Sequence, residues 1–597
     1  MTRLVDRMGH YVVVAFFTGA VVLILVMSAH TADSTAPAAK RRVLAEGDDL
    51  LQRFTTAKQT LIRRLEVDYG KENFHNMFFN ATGTSRGRTS YQSPTELSRE
   101  RMVRRLQIKL LESKQGSSST RRLKETPKFI WATGGHSAAA GHGNFYDESY
   151  TAMMEKAAKP VFEAVGIEFV GRNYAMGGTG SFTEIASCVE SVFGTDIDVL
   201  SWDHGMIDGH GAEGFTYYCY RAARGPSGPA CVANHVSPKY QHLNMLAEME
   251  ANGGVGFYMV EADVKEAVMA VPDTFGLSTA QIEAMPYYVK SLRCNSEWTE
   301  SGDPTCGLEK FNDKACPKRK FRTSWHPGYK MHALNGNTMA LFMIDLLEDA
   351  INGLATMTES PDTILKELNE LQEKDHKQLQ EAGPPSIVQK LIPEDATDLD
   401  QDVIFKGPNL CHTGRLPAEI RHLGILTETT KTGFTTFEEG ITMKEADATP
   451  NPSSQMRLVQ EGGSRQDCNF TVQMDYKDVF YVHQRDGQQT IKLPNAAEAK
   501  AYNIEQRTLK GYVAICLATC SWGKCPKGDI RDPIADNGEI VVNGVKVTGT
   551  TEFPGCMFLK HDGGHKFKPK KADGSIEIKA RANDEDTYFR FSSIVVW

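Results

Sequence analysis

KFIWATGGHSAAAGHGN, residues 128–144, decides how this chain is read. The first six residues form a short apolar run with no helical spacing, which predicts a buried strand. Two glycines end the run, and Ser137 follows among small neighbours. The stretch from Asp147 (DESYTAMMEKAAKPVFEAV) then has helical periodicity. A serine at a strand-to-helix turn is open to an incoming ligand when its neighbours are small. The N–H groups at the start of a helix can also hold a developing negative charge. The same spacing also suits an ordinary βα turn, so the rest of the chain has to decide.

Strand-like and helix-like pieces alternate from 127 to 355, the pattern of an α/β layered domain with a parallel sheet. GIEFVGRNYA (166–175), DIDVLSW (196–202) and GVGFYMVEA (254–262) read as further strands, and NTMALFMIDLLEDAI (337–351) as a closing helix. Residues 209–240 and 291–320 carry cysteines and read as loop insertions pinned by disulfides. Polar groups collect where the strands end. NYAMGGTGS (173–181) is a second glycine-rich turn, SWDHGMID (201–208) follows the third strand, and SWHPGYKMH (324–332) puts His326 before the closing helix. Open α/β sheets bind ligands at that carboxyl edge. A serine after the first strand and a histidine late in the domain stand in the order a Ser/His hydrolase needs.

On those four blocks the chain resembles the SGNH hydrolases, a flavodoxin-like family of esterases, lipases and carbohydrate acetylesterases. The resemblance spans roughly residues 127–355, under half of the chain. It implies Ser137 as nucleophile, His326 as general base, and Gly178 (or Gly177) as an oxyanion donor. Three positions depart from the family pattern. His136 stands where the family has the aspartate of Gly-Asp-Ser, and Ile207 replaces the asparagine of Gly-x-Asn-Asp, leaving Asp208. Thr323 stands where the triad aspartate belongs. Asp203 is a candidate replacement acid, and Asn144 or Asn173 a candidate oxyanion donor. The chemistry implied is acyl transfer from an ester, with O-acyl or O-acetyl groups on glycans as the substrate class and no cofactor. An acceptor other than water would make the same site an O-acyltransferase.

Two other readings stay open. His136, His142, Asp203, His204, Asp208, His210, His326 and His332 map near one sheet edge and include divalent-metal ligand types. Their recurrent spacing of six follows neither a helix nor a strand face, and no compact metalloprotease motif is present. A degenerate hydrolase domain that only binds glycans is the non-enzymatic alternative. No phosphate-binding loop, dinucleotide fingerprint or kinase signature occurs, so nucleotide-dependent transfer is not expected. A net charge of −8 argues against a nucleic-acid partner.

The ends of the chain set its expected surroundings. The 19 residues from Tyr11 to Ala29 carry no charge, enough for one membrane-spanning helix, and Arg3 and Arg7 precede them. Cleavage after Ala29 or Ala32 would put Met27 or His30 three residues back, where signal cleavage favours small residues. The expectation is an uncleaved anchor and a single-pass type II protein with its bulk lumenal; cleaved secretion is the alternative. The 12 cysteines all lie beyond residue 187, six from Cys188 to Cys316 and six from Cys411 to Cys556. That grouping predicts two separately stapled domains in an oxidising compartment. Zinc at Cys516, Cys520 and Cys525 is disfavoured because no fourth partner follows at a suitable distance. Sequons at Asn80 and Asn469 fit the secretory pathway.

The expected organisation is a tail (1–10), an anchor (11–29), a helical stem and linker (30–126), the SGNH-like domain (127–355), a charged helical linker (356–403) and a β-rich, sandwich-like domain (404–597). In the stem, SPTE predicts a helix with Ser93 as N-cap, Pro94 in the first position and Glu96 closing a capping box. EIVVNGVKV (539–547) predicts a hairpin turning at Asn543-Gly544. Trp522, Tyr481, Tyr588 and Trp597 could stack on sugars or fill the β-domain core, and spacing does not choose between them.

Overall fold

The computed structural model describes residues 38–118, 126–141, 146–177, 179–182, 186–208, 212–234, 242–271 and 327–406. In the C-terminal region it describes 409–413, 426–427, 435–436, 478–483, 489–492, 510–517, 530–534, 538–568, 576–584 and 587–597. The apolar segment from Tyr11 to Ala29 lies outside these residues. Among the described residues no helix is long and apolar enough to cross a membrane.

A six-stranded sheet organises the first domain. Its strands are β1 (Tyr91–Gln92), β2 (Lys128–Gly135), β3 (Glu168–Asn173), β4 (Val199–Asp203), β5 (Ala230–Ala233) and β6 (Gly256–Met259), in the spatial order β1-β6-β5-β4-β2-β3. All neighbours from β3 to β6 are parallel, and β1 adds an antiparallel edge. The five parallel strands follow the doubly wound 2-1-3-4-5 order. Side chains alternate between two cores, as the pleat requires. Phe129 and Trp131 of β2 enter one, while Ile130 and Ala132 enter the other. Apolar contact on both faces explains why these strands read as continuous apolar runs.

In chain order the described α-helices up to β5 are α1 (Ala38–Tyr69), α2 (Lys71–Phe78), α3 (Arg86–Ser90), α4 (Glu96–Ser118), α5 (Ser137–Ala140), α6 (Tyr150–Ala164), α7 (Val189–Phe193) and α8 (Ala212–Arg224). The first core lies under α1, α4, α6 and the long helix Tyr329–Thr356. The segment expected to be a stem is therefore packed into the domain. Leu50, Phe54, Leu61 and Leu65 of α1 are buried in this core, and β1 pairs with β6. Helix α4 begins at Glu96, and Thr95 Oγ1 accepts from Leu97 N, so Thr95 replaces the expected Ser93 cap. The residues 209–240 expected as a loop insertion hold helix α8 (Ala212–Arg224) and the internal strand β5, joined by the Cys219–Cys231 disulfide. ACVA is too short for its periodicity to show, and its burial comes from the neighbouring strands.

The charged linker forms the helix Pro361–Glu381, capped by Ser360, and its Ile364 and Leu368 pack against Ile108 and Leu111 of α4. Beyond it, two antiparallel sheets of seven and five strands lie face to face. Val513, Ile515 and Phe591 from one sheet and Ile540, Val542 and Ile578 from the other share a core, which makes a sandwich. Its hairpin turns at Asn543-Gly544, with φ of 51° and 85°, the left-handed pair such a turn needs. Among the described disulfides, Cys219–Cys231 and Cys516–Cys556 each stay within one domain, but a third joins the two. Cys188 of the first domain is bonded to Cys411 of the second. Tyr217 meets Phe405 and Phe553 at centroid distances of 5.7 and 5.8 Å across the same contact.

Candidate active site

The chain crosses from β2 to β3 on one side and then returns to β4 on the other. The carboxyl ends of β2 and β4 therefore flank the point where the winding reverses, the usual ligand position in such sheets. Gly135 closes β2 opposite Asp203, which closes β4. No side chain fits at Gly135, because a Cβ there would lie 2.4 Å from the Ala139 Cβ and 2.9 Å from the Asp203 carbonyl oxygen. The His136 N–H donates to that carbonyl at 2.9 Å.

A single helical turn, α5 (Ser137–Ala140), begins on the serine itself, well before the helix expected from Asp147. His136 is its N-cap. The ring Nδ1 accepts from the Ala138 N–H at 3.1 Å, so its proton is carried on Nε2. Gly141 ends the turn at φ 87°, and the Asn173 amide donates to the carbonyls of Ala139 and Ala140 at 3.2 and 3.4 Å. Asn173 thus holds α5 closed, which occupies the amide proposed for an oxyanion. Ser137 is 8% exposed.

Behind the serine lies a buried polar cluster. His136 Nε2 stands 3.7 Å from Asp203 Oδ1, and the Tyr150 hydroxyl donates to Asp203 Oδ2 at 3.1 Å. Burial pushes the Asp203 carboxyl above its ordinary range, opposed by His136 and the Tyr150 hydrogen bond. Burial, with the nearby Asp203 charge, also holds the Tyr150 phenol well above its usual value. Tyr91 donates to Asn234 at 3.4 Å at the end of β5. The Tyr150 N–H donates to His332 Nδ1 at 3.2 Å and the two rings stack, docking the first turn of helix Tyr329–Thr356 beside α6. Residues Pro327 and Gly328, which lead into that helix, are buried. Nothing in the local sequence marked Tyr150, Tyr91 or Asn234 as members of this cluster, since only the sheet order brings their elements together.

A second clamp holds the glycine-rich turn after β3. His204 Nδ1 lies 2.8 Å from the Thr179 carbonyl, and Asp208 accepts from the Ser181 N–H at 2.9 Å and from the Ser181 hydroxyl. Gly180 leaves room for the carboxylate, because a Cβ there would lie 2.3 Å from Asp208 Oδ1. Burial raises the Asp208 pKa to about 6. Asp208 therefore holds a loop, whereas Ile207 beside it is 42% exposed.

Of the residues expected at the site, the structure brings Ser137 and Asp203 to one edge and sets Asp208 in the adjoining clamp. His326, Gly178, Asn144, Thr323, His142 and His210 lie outside the described residues. Asp203 faces His136 and Tyr150. Among the described residues no three His, Cys, Asp or Glu side chains converge as a metal site. Cys516 is bonded to Cys556, which removes it from a zinc set. Trp597 is 1% exposed, packs against the tilted ring of Phe558 and donates to the Ile404 carbonyl at 3.0 Å, so it fills the core and cannot stack on a sugar. Trp522 and the side chains of Tyr481 and Tyr588 lie outside the described residues.

No protein-family model and no curated protein matches the chain. Among solved structures it is similar, at 11% identity, to a two-domain esterase (CEX) active on acetylated mannans, which covers 79% of this chain and 90% of that one with a TM-score of 0.29. The same esterase co-crystallised with mannopentaose covers 79% and 92%, with a TM-score of 0.30. A superposition this loose carries no chemistry from one chain to the other.

The residues themselves limit what the site can do. His136 cannot take a proton on Nδ1 while that atom caps α5, and Ala138 N–H is already used by the same bond. A base for Ser137 and the oxyanion donors have to come from other groups, among which the Ser137 N–H and the turn at Gly177 lie on the same carboxyl edge.

Proposed function

We propose that the chain is an SGNH-type serine esterase. In this reading Ser137 Oγ attacks an ester carbonyl while His326 takes its proton. The tetrahedral oxyanion rests on the N–H groups of Ser137 and Gly178. The C–O bond of the ester then breaks, and the leaving alcohol receives the proton from His326. Water, deprotonated by His326, cleaves the acyl-serine, releasing the carboxylic acid and restoring Ser137.

The observation that carries this reading is the placement of Ser137. It is the first residue of a helical turn at the winding reversal of a 2-1-3-4-5 sheet, with a glycine in front that tolerates no side chain. O-acyl groups on glycans are the proposed substrate class, and a secretory, membrane-anchored setting the proposed location. The disulfides Cys188–Cys411, Cys219–Cys231 and Cys516–Cys556 fit an oxidising compartment.

The test is labelling of the full chain by a fluorophosphonate probe, beside Ser137→Ala and His326→Ala. The expected result is strong labelling of the wild type, none in Ser137→Ala, and a drop of about 10³-fold or more in His326→Ala. A folded wild type that takes no label would leave a site that binds without acyl transfer.

A further inference from the structure

The family pattern puts an aspartate before the serine, and this chain puts a histidine there. We infer that His136 and Asp203 form a positioning pair for Ser137, in which Asp203 holds the His136 ring in the one tautomer that can cap α5. This inference rests on the reading of Ser137 as nucleophile.

Two ties act on the residue next to the serine. Its N–H donates to the Asp203 carbonyl at 2.9 Å, which fixes it to the end of β4. Its Nδ1 accepts from Ala138 N–H at 3.1 Å, which fixes it to the first turn of α5. The second tie exists only while Nδ1 is bare and the proton sits on Nε2. Asp203 Oδ1, 3.7 Å from Nε2, favours that arrangement because a carboxylate attracts the N–H dipole and repels a lone pair. The carboxylate is held by Tyr150 from α6, with Tyr91 of β1 and Asn234, the residue just past β5, next in the cluster. An asparagine at 203 can turn its amide N–H toward Nε2. The ring proton then moves to Nδ1, where it faces the Ala138 N–H donor to donor and opens the turn that carries Ser137.

The pair is tested on the full chain by two measurements. Ring ¹⁵N shifts of His136, assigned by their loss in His136→Asn, are expected to show a protonated Nε2 and a bare Nδ1 at neutral pH. They are expected to shift toward the opposite tautomer in Asp203→Asn. A wild-type His136 protonated on Nδ1 would overturn the inference without any variant having to fold.

The second measurement is the rate of fluorophosphonate labelling. Asp203→Asn is expected to slow it about 10- to 100-fold in the wild-type background, as for a nucleophile displaced by a fraction of an ångström. In a His136→Asn background the asparagine carbonyl accepts the Ala138 N–H with no tautomer to hold, so the same change should cost less than about twofold. Equal losses in both backgrounds would make Asp203 a general structural residue and sink the pair. A wild type that shows the expected tautomer but takes no label would overturn the nucleophile reading instead, leaving the ring lock intact.

Discussion

Two residues at the sheet edge have consequences that can be measured singly. At Gly135 even a methyl group meets the Asp203 carbonyl oxygen at 2.9 Å and the Ala139 side chain at 2.4 Å, both on elements fixed by their own hydrogen bonds. Gly135→Ala should therefore cost about 1–3 kcal/mol in urea unfolding, with a proportionate loss of labelling if β2 and β4 are pushed apart. Asp208 offers a pH signature. Burial raises its folded pKa to about 6 from an ordinary 3.8, so the folded state binds this proton more tightly than the unfolded chain does. Its contribution is complete below about pH 4 and is lost as pH rises through about 6. Relative to Asp208→Asn, the wild type should lose about 2–3 kcal/mol across that window and nothing further above it, by denaturant titration at each pH.

Elements this small survive on their caps. α5 is one turn, held at its start by His136 and at its end by the Asn173 amide on two carbonyls. A four-residue helix has no stability of its own. Asn173→Ala strips the far end, leaving buried carbonyls without that donor at a cost of about 1–3 kcal/mol. The global melting temperature should fall by a few degrees while labelling of Ser137 falls more steeply, since the frayed turn carries the serine. A melting shift with unchanged labelling would show that the turn does not depend on this cap.

Across the whole molecule the two domains share an apolar contact and a disulfide. Cys188–Cys411 closes a span of 223 residues, and Tyr217, Phe405, Phe553, Phe558 and Trp597 belong to one buried cluster. The paired change Cys188→Ser with Cys411→Ser should cost about 2–4 kcal/mol, because the long loop is then free in the unfolded chain. The aromatic contact remains, so calorimetry should show a single lowered transition. Two separated transitions would mean that the disulfide alone couples the domains.

What the sequence determined by itself was local. KFIWAT as a strand, the serine just past its glycines and the Asn543-Gly544 turn all rest on propensities that act within a few residues, although β2 itself runs on through Gly134 and Gly135. Tertiary structure decided the rest. β5 is four small residues whose strand character comes from β4 and β6 on either side. In helix α1 the apolar residues Leu50, Phe54, Leu61 and Leu65 recur at helical spacing, and only α6 and the long helix beside it show where that face is buried. The pairing of Cys188 with Cys411, and of His136 with Asp203, joins segments that the chain keeps far apart. Local sequence specifies backbone preference at each place, but which buried polar group meets which depends on strand order, and strand order is set by the packing of the whole sheet.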